Sequence, residues 1–312
     1  MKKKDIFVYS FYRFIKINEK TNVKKKLDKY FKNKLLRGTL LISNEGINGS
    51  ISGTKEELIN TIKFIKYLLK IRKLVININS INFLPFNRIK VRLKKEIVSL
   101  GKGKMNVNRL SAKLIHPSKW NKIIQMKNVK LIDVRNIYEI KIGKFKNAIN
   151  PNTNSFRNFP NQIKDLKIKK EDKIAMYCTG GIRCEKASSY LKQKGFKNIS
   201  QLEGGIINYL EYIKNSKTKS FWRGECFVFD NRVTIDKNLN KGKYLQCYGC
   251  RQPITLEETK SKKYIKGVSC PYCFSSRSKN QKENSINRQR QIDYANKMNI
   301  KNTFTTLKKD DL

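Results

Sequence analysis

Histidine is almost missing from this 312-residue chain: His116 is the only one. A Ser–His–Asp triad or a Cys–His pair would have to be built on that one residue, which stands beside Pro117 and reads as a turn residue. His-assisted nucleophilic catalysis is therefore disfavoured. An iron-binding facial triad, which needs two histidines, is excluded. Acidic residues are also scarce, 24 against 69 Lys plus Arg, for a net charge of +45. No stretch approaches the ~20 consecutive apolar residues of a membrane helix, so no membrane association is expected. Residues 6–17 mix Tyr, Ser, Arg and Lys among apolar positions, unlike a signal peptide, and a cytoplasmic location is the expectation. There is no GxGxxG fingerprint, and neither flavin nor NAD is indicated.

A strongly basic surface attracts polyanions, with nucleic acid the first candidate. Lys, Asn and Ile are abundant throughout the chain, as an A/T-rich coding bias would give, so only part of the charge points to RNA. The seven cysteines are an odd number. In a cytosolic chain this favours metal binding and thiol chemistry over disulfides.

The most informative segment is Cys178-Thr179-Gly180-Gly181-Ile182-Arg183. It follows an apolar run, residues 174–177, and precedes helical spacing over residues 184–194. A cysteine thus leaves a strand and enters a glycine-bearing loop that closes on an arginine at a helix start. Successive backbone N–H groups in such a loop form an anion cradle. Helix N-termini and nearby cations lower a thiol's pKa. A buried structural cysteine is the plainer alternative. Cys184, next to Arg183, reads as a packed helix residue, with resolution of a persulfide as its alternative role.

The flanking pattern divides the chain. Residues 1–80 read strand (6–14), helix (20–33), strands (37–43 and 47–52), helix and strand (74–78), a ferredoxin-like order. Thr54 with Glu57 forms a capping box for the second helix, expected to run to about Leu69. Residues 81–114 read as a connector. Within it, residues 88–98 alternate like a strand with a basic outer face, suited to phosphates or to guarding a sheet edge. Residues 115–218 alternate strands and helices, implying a parallel α/β sheet with ligands beyond the carboxyl ends of its strands. Cys178 lies at such an end. Residues 219–276 hold Cys247-x2-Cys250 and Cys270-x2-Cys273, the spacing of a zinc ribbon, and a structural zinc is expected there. Residues 277–312 form a basic tail, partly disordered or helical.

Asp133-Val-Arg135, Glu139, Gly143, Phe145, Ala148, Cys178-x4-Arg183 and Glu203-Gly204-Gly205 together resemble a rhodanese domain. The four residues between Cys178 and Arg183 match sulfur-handling rhodaneses; the related phosphatase loops have one more. Residues 177–186, 201–209, Glu45-Gly-Ile-Asn-Gly49, Phe227-Val-Phe-Asp230 with Arg232, and 269–273 extend the resemblance to the rhodanese-type tRNA uridine hydroxylases. One departure is Gly143-Lys144-Phe145, where rhodaneses commonly have Gly-His.

The resemblance implies an N-terminal ferredoxin-like (acylphosphatase-like) domain, a central rhodanese domain and a Cys-rich C-terminal region. It implies oxygen-dependent formation of 5-hydroxyuridine at the wobble position of tRNA, with Cys178 as active residue and molecular oxygen as co-substrate. Arg183 and the amides around Thr179, Gly180, Gly181 and Ile182 are expected to stabilise its thiolate or persulfide. Asp133 and Arg135 are expected to brace the loop as an ion pair, and Glu203 to orient it. RNA contacts are expected around Glu45–Gly49 and on the basic strand, with tRNA bound through its anticodon region. A protein donor of sulfur or electrons is left open. Two other readings are a persulfide sulfurtransferase acting in tRNA thiolation and a non-catalytic RNA-binding protein.

Overall fold

The computed structural model describes residues 5–103 and 105–300. The apolar alternation near the N-terminus forms β1 (Ile6–Phe14), followed by α1 (Lys20–Phe31), β2 (Arg37–Ser43), β3 (Gly46–Thr54), α2 (Lys55–Leu68) and β4 (Val75–Ile81). Thr54 caps α2 by accepting the Glu57 amide proton at 3.4 Å, as its spacing predicts. The basic strand is shorter than the pattern suggests, β5 (Ile89–Leu93), and it pairs in parallel with β2 as the edge of this first sheet, whose order is β4-β1-β3-β2-β5. One sheet face packs Tyr9, Phe11, Leu40, Ile42, Ile47 and Ile51 against Leu27, Phe31, Leu58, Ile62 and Ile65 of the helices. Each such buried side chain contributes roughly 1.5–3 kcal/mol. The opposite face carries Ser10, Tyr12 and, across from Ser10, Asn77.

A short helix, α3 (Val107–Leu110), leads to β6 (Lys113–Ile115), α4 (Pro117–Ile124), β7 (Val129–Asp133), α5 (Ile137–Ile142), β8 (Gly143–Phe145), α6 (Phe159–Asp165), β9 (Lys173–Tyr177), α7 (Ile182–Gln193), β10 (Ile199–Leu202) and α8 (Gly205–Asn215). The sheet is parallel, in the order β6-β10-β9-β7. Alternation along β9 sends Ile174, Met176 and Cys178 into one core and Ala175 and Tyr177 into the other, as a strand covered on both faces requires. His116 is the N-cap of α4, its Nδ1 accepting from the Ser118 amide at 3.3 Å, so it is the turn residue its neighbour Pro117 suggests.

Residues Trp222–Gly224 pair with β8. There Phe145 meets Tyr177, Tyr209 and Trp222 edge-to-face at 4.8–5.2 Å. Lys144 faces solvent, so the residue that departs from the Gly-His pattern lies outside this cluster. A hairpin of Cys226–Phe227 with Thr234–Ile235 follows. Its turn is held by the buried Asp230–Arg232 pair at 2.6 Å and reaches the first domain through Asn231, whose amide donates to Pro85 O at 2.9 Å. Beyond the paired cysteines, Ser278 caps α9 (Lys279–Lys297). The tail is thus helical over that span; residues 301–312 lie outside the described residues.

The two sheets are joined by a charged clamp. Lys186 of α7 is fully buried and donates to Glu45 at 2.8 Å, to Glu96 at 2.5 Å and to Val98 O at 2.8 Å. Glu45 also accepts the Ile97 amide, and Asn48 donates to Ile97 O. The Glu45–Gly49 segment, expected to meet RNA, therefore turns its Glu45 carboxylate and Asn48 amide inward and holds domains together.

Candidate active site

The strand-to-helix turn after β9 builds the site. Gly181 is the N-cap of α7 with φ of 98°, a conformation that favours glycine. Its amide points back at the Cys178 Sγ, 3.1 Å away. Gly205, with φ of 70°, brings α8 against the loop backbone: a Cβ there would lie 2.5 Å from Cys178 O. The Ile206 and Ile207 amides donate to Cys178 O and Thr179 O at 3.0 and 3.2 Å. The Glu203-Gly204-Gly205 motif therefore supports the loop through backbone. Glu203 binds β6 with its amide, which donates to Ile115 O, and accepts from Asn208 Nδ2 with its carbonyl, so it joins this support through its backbone.

The carboxylate that binds the loop arginine is that of Glu139, which the sequence marks only as part of a resemblance. Its carboxylate is fully buried and receives Arg183 in a fork, Nη1 to Oε1 at 2.6 Å and Nη2 to Oε2 at 2.7 Å. Arg183 Nη2 also donates to Thr179 Oγ1 at 3.2 Å. Burial would raise the Glu139 pKa, but Arg183 and then Arg135 hold it below the usual carboxylate value. Asp133 and Arg135 do form a fully buried ion pair at 2.6 Å, and Arg135 further donates to Glu139 O and Gly143 O. This pair fixes α5, and α5 holds Glu139. It braces the loop at one remove.

Cys178 is 1% exposed. Burial pushes its pKa up, yet the hydrogen bond from the Cys184 thiol, the Arg183 charge and the Cys184 and Gly181 amides outweigh that and bring it down to about 6. Burial, and then its bond to Cys178, push the Cys184 thiol well above the ordinary value. One sulfur is thus ionised and the other keeps its proton and donates it. Cys184 is the packed helix residue expected, with an added electrostatic role that sequence alone does not signal. An ionised sulfur in a cradle of amides is a nucleophile and a carrier for a persulfide.

Other parts of the chain close around the loop. Tyr12 of β1 stands over Gly181, its hydroxyl 2.9 Å from where a Cβ would sit, and donates to Glu185 Oε1 at 2.7 Å. Phe229, 63% exposed, lies with its ring centroid 5.8 Å from the Arg183 guanidinium carbon.

Away from the loop, the Sγ atoms of Cys247, Cys250, Cys270 and Cys273 all lie within 4.8 Å of one another, and this cluster can hold a metal ion. Cys247 is drawn down to about 5 by the Cys250 thiol, while Cys250 is pushed up by the same contact. Arg277 Nη1 donates to Gly249 O at 2.5 Å, and Arg288 Nη2 to Gly267 O at 2.7 Å, clamping α9 to the turns that carry the cysteines.

Comparison with known proteins finds two family matches along the chain. Residues 6–97 match the "UPF0176 acylphosphatase like domain" and residues 116–211 the "Rhodanese-like domain". Among solved structures, a rhodanese-related protein from Thermoplasma volcanium is 28% identical, covering 32% of this chain and 92% of its own, with a TM-score of 0.28. A rhodanese-like domain protein from Staphylococcus aureus is 26% identical, covering 31% and 90%, with a TM-score of 0.27. A Pelagibacter ubique (strain HTCC1062) protein described as "tRNA uridine(34) hydroxylase" is 45% identical over 298 residues, which is 95% of this chain and 97% of that protein. The chain belongs to the tRNA uridine(34) hydroxylase family.

Proposed function

We propose that this protein hydroxylates the wobble uridine of tRNA at C5, with molecular oxygen as co-substrate and Cys178 as the residue that acts at the base. The observation that carries the assignment to Cys178 is its thiol, held near pKa 6 by Cys184, Arg183 and loop amides although fully buried. Arg183 and the Gly181 and Cys184 amides keep the sulfur ionised. Thr179, Asp133 and Arg135 maintain the geometry through Glu139. Cysteine chemistry on a base requires that base to leave the anticodon stack. Phe229, exposed beside Arg183, offers a face for stacking.

The basic edge supports the choice of tRNA as partner. Lys90 of β5 has its pKa lowered by partial burial and then by Arg88, Arg92 and Arg251, so cations from the first sheet and the cysteine region crowd together. Phosphates relieve such crowding. Three contacts among the four cysteine sulfurs are 3.8–3.9 Å and all lie within 4.8 Å, which fits a tetrahedral zinc, for which ~2.3 Å bonds give edges of about 3.8 Å. We assign a closed structural zinc there. No described helix is long and apolar enough to cross a membrane, and a cytoplasmic enzyme fits its substrate.

Mass spectrometry of tRNA nucleosides tests the assignment. Cells lacking the gene are rescued with the native chain or with Cys178→Ser. Native rescue of 5-hydroxyuridine and none by the serine variant is expected. Retained hydroxylation with lost 2-thiolation would favour a sulfurtransferase, and full rescue by serine a non-catalytic role.

A further inference from the structure

β4 carries two buried asparagines, Asn77 and Asn79. Asn79 donates its amide to Ile78 O at 2.9 Å. The Asn77 carboxamide, on a residue only 8% exposed, has no hydrogen-bond partner among the described residues. Ser10 stands directly across from it on β1, but the Ser10 hydroxyl is paired with Ser50 at 2.7 Å. The amide atoms of Asn77 are not shut off from solvent, so the group is free to pair with a ligand.

Its position gives the orphan a use. Asn77 lies on the sheet face turned to the thiol loop. A Cβ on Gly180 would lie 3.5 Å from Asn77 Nδ2, and beyond the loop's adjacent residues nothing else would come within 4 Å. The space beside Gly180 is therefore open except for one donor–acceptor group. The first domain thereby places a base-pairing amide against a loop of the second.

We propose that Asn77 reads the Watson–Crick edge of the extruded uracil: its amide oxygen accepts from N3–H and its amide nitrogen donates to O4. The proposal rests on the wobble-uridine reading above and names the residue that holds the base edge. A side-chain amide and a base edge form two parallel hydrogen bonds of this kind. The arrangement also positions the reacting carbon. C5 is bonded to C4, so an O4 held at Asn77 keeps C5 at the loop. Cytosine presents the reverse order, an acceptor at N3 and a donor at N4, which the same amide meets only after turning over by about 180°.

The test compares native protein, Asn77→Leu and Asn77→Asp. Three quantities are read: 5-hydroxyuridine in tRNA of rescued cells, binding of anticodon stem-loops with U34 or C34 by fluorescence anisotropy, and, on purified protein, thermal midpoint with the pH profile of Cys178 alkylation. In the leucine variant the thermal midpoint is held or raised, because no bond is lost, and the alkylation profile is unchanged. Its hydroxylation falls about tenfold or more, the size of two lost hydrogen bonds, and its binding of the U34 stem-loop weakens with it. The aspartate variant, acceptor-only, keeps one of the two bonds to either base and loses the other, so binding of both stem-loops weakens. Leucine-variant hydroxylation within twofold of native overturns the proposal. So does loss accompanied by a lower midpoint or a shifted alkylation profile, since Asn77 would then act through the fold. A native chain that yields no 5-hydroxyuridine removes the underlying reading instead, and binding of the U34 stem-loop by the native and leucine chains distinguishes that case.

Discussion

Glu139 and Arg183 meet through both carboxylate oxygens, at 2.6 and 2.7 Å, with the Glu139 side chain wholly out of contact with water. The pair aligns the guanidinium whose charge helps ionise Cys178. Alkylation of Cys178 is therefore expected to rise with pH through about 6, where an ordinary thiol rises near 9. Arg183→Gln and Cys184→Ala each remove a group that favours the thiolate, so the midpoint moves up, by about one unit for a lost hydrogen bond to a charge. Glu139→Gln leaves a buried guanidinium without its counter-charge and costs roughly 3–5 kcal/mol in urea denaturation. An unchanged midpoint in both thiol-side variants would contradict the assignment.

Lys186 links α7 to Glu45 and Glu96 from the first domain. Lys186→Met leaves two carboxylates facing one another and an interdomain contact without its centre. A lower thermal midpoint and new protease cuts in the 94–106 segment are expected. Acid has the same sense. Burial raises the Glu96 pKa, but bonds from Lys186 and the Leu100 amide bring it below the ordinary 4.5. A depressed folded-state pKa gives stability that is whole above that ordinary value and is lost as pH falls through the lower one. The native chain should lose stability more steeply there than the methionine variant.

Metal analysis of purified protein is expected to give one zinc per chain. A strong chelator should expose four further alkylatable thiols and speed hydrogen exchange in α9, since Arg277 and Arg288 bind α9 to the turns around the cysteines. Cys178 alkylation should be unchanged by the chelator, because that loop depends on residues of the rhodanese sheet. Protection of α9 that survives complete metal removal would contradict this coupling.

tRNA binding should weaken linearly in log–log fashion with salt. Lys90→Gln and Arg251→Gln are each expected to reduce the slope by about 1 and to weaken all tRNAs alike. A sequence-selective loss without a slope change would place these side chains on bases instead of phosphates.

Some of this protein was decided by contiguous residues. The thiol loop is local: a strand end, two glycines and an arginine within one turn of a helix start, each acting on its neighbours. The Thr54 cap, the His116 turn and the ligand pairs around Gly249 and Pro271 are local too, and the strand–helix order follows from periodicity. The rest needed chain segments far apart to meet. Nothing around Glu139 marks it as Arg183's partner, because α5 reaches the loop only once β7 and β9 lie in register. Lys186 is one of 69 Lys plus Arg in the sequence, and only the approach of Glu45 and Glu96 makes it a buried one. Asn77 looks like any strand asparagine until the first sheet packs against Gly180. Local chemistry set which atoms react; burial and counter-charge, which depend on long-range packing, set their ionisation and what they face.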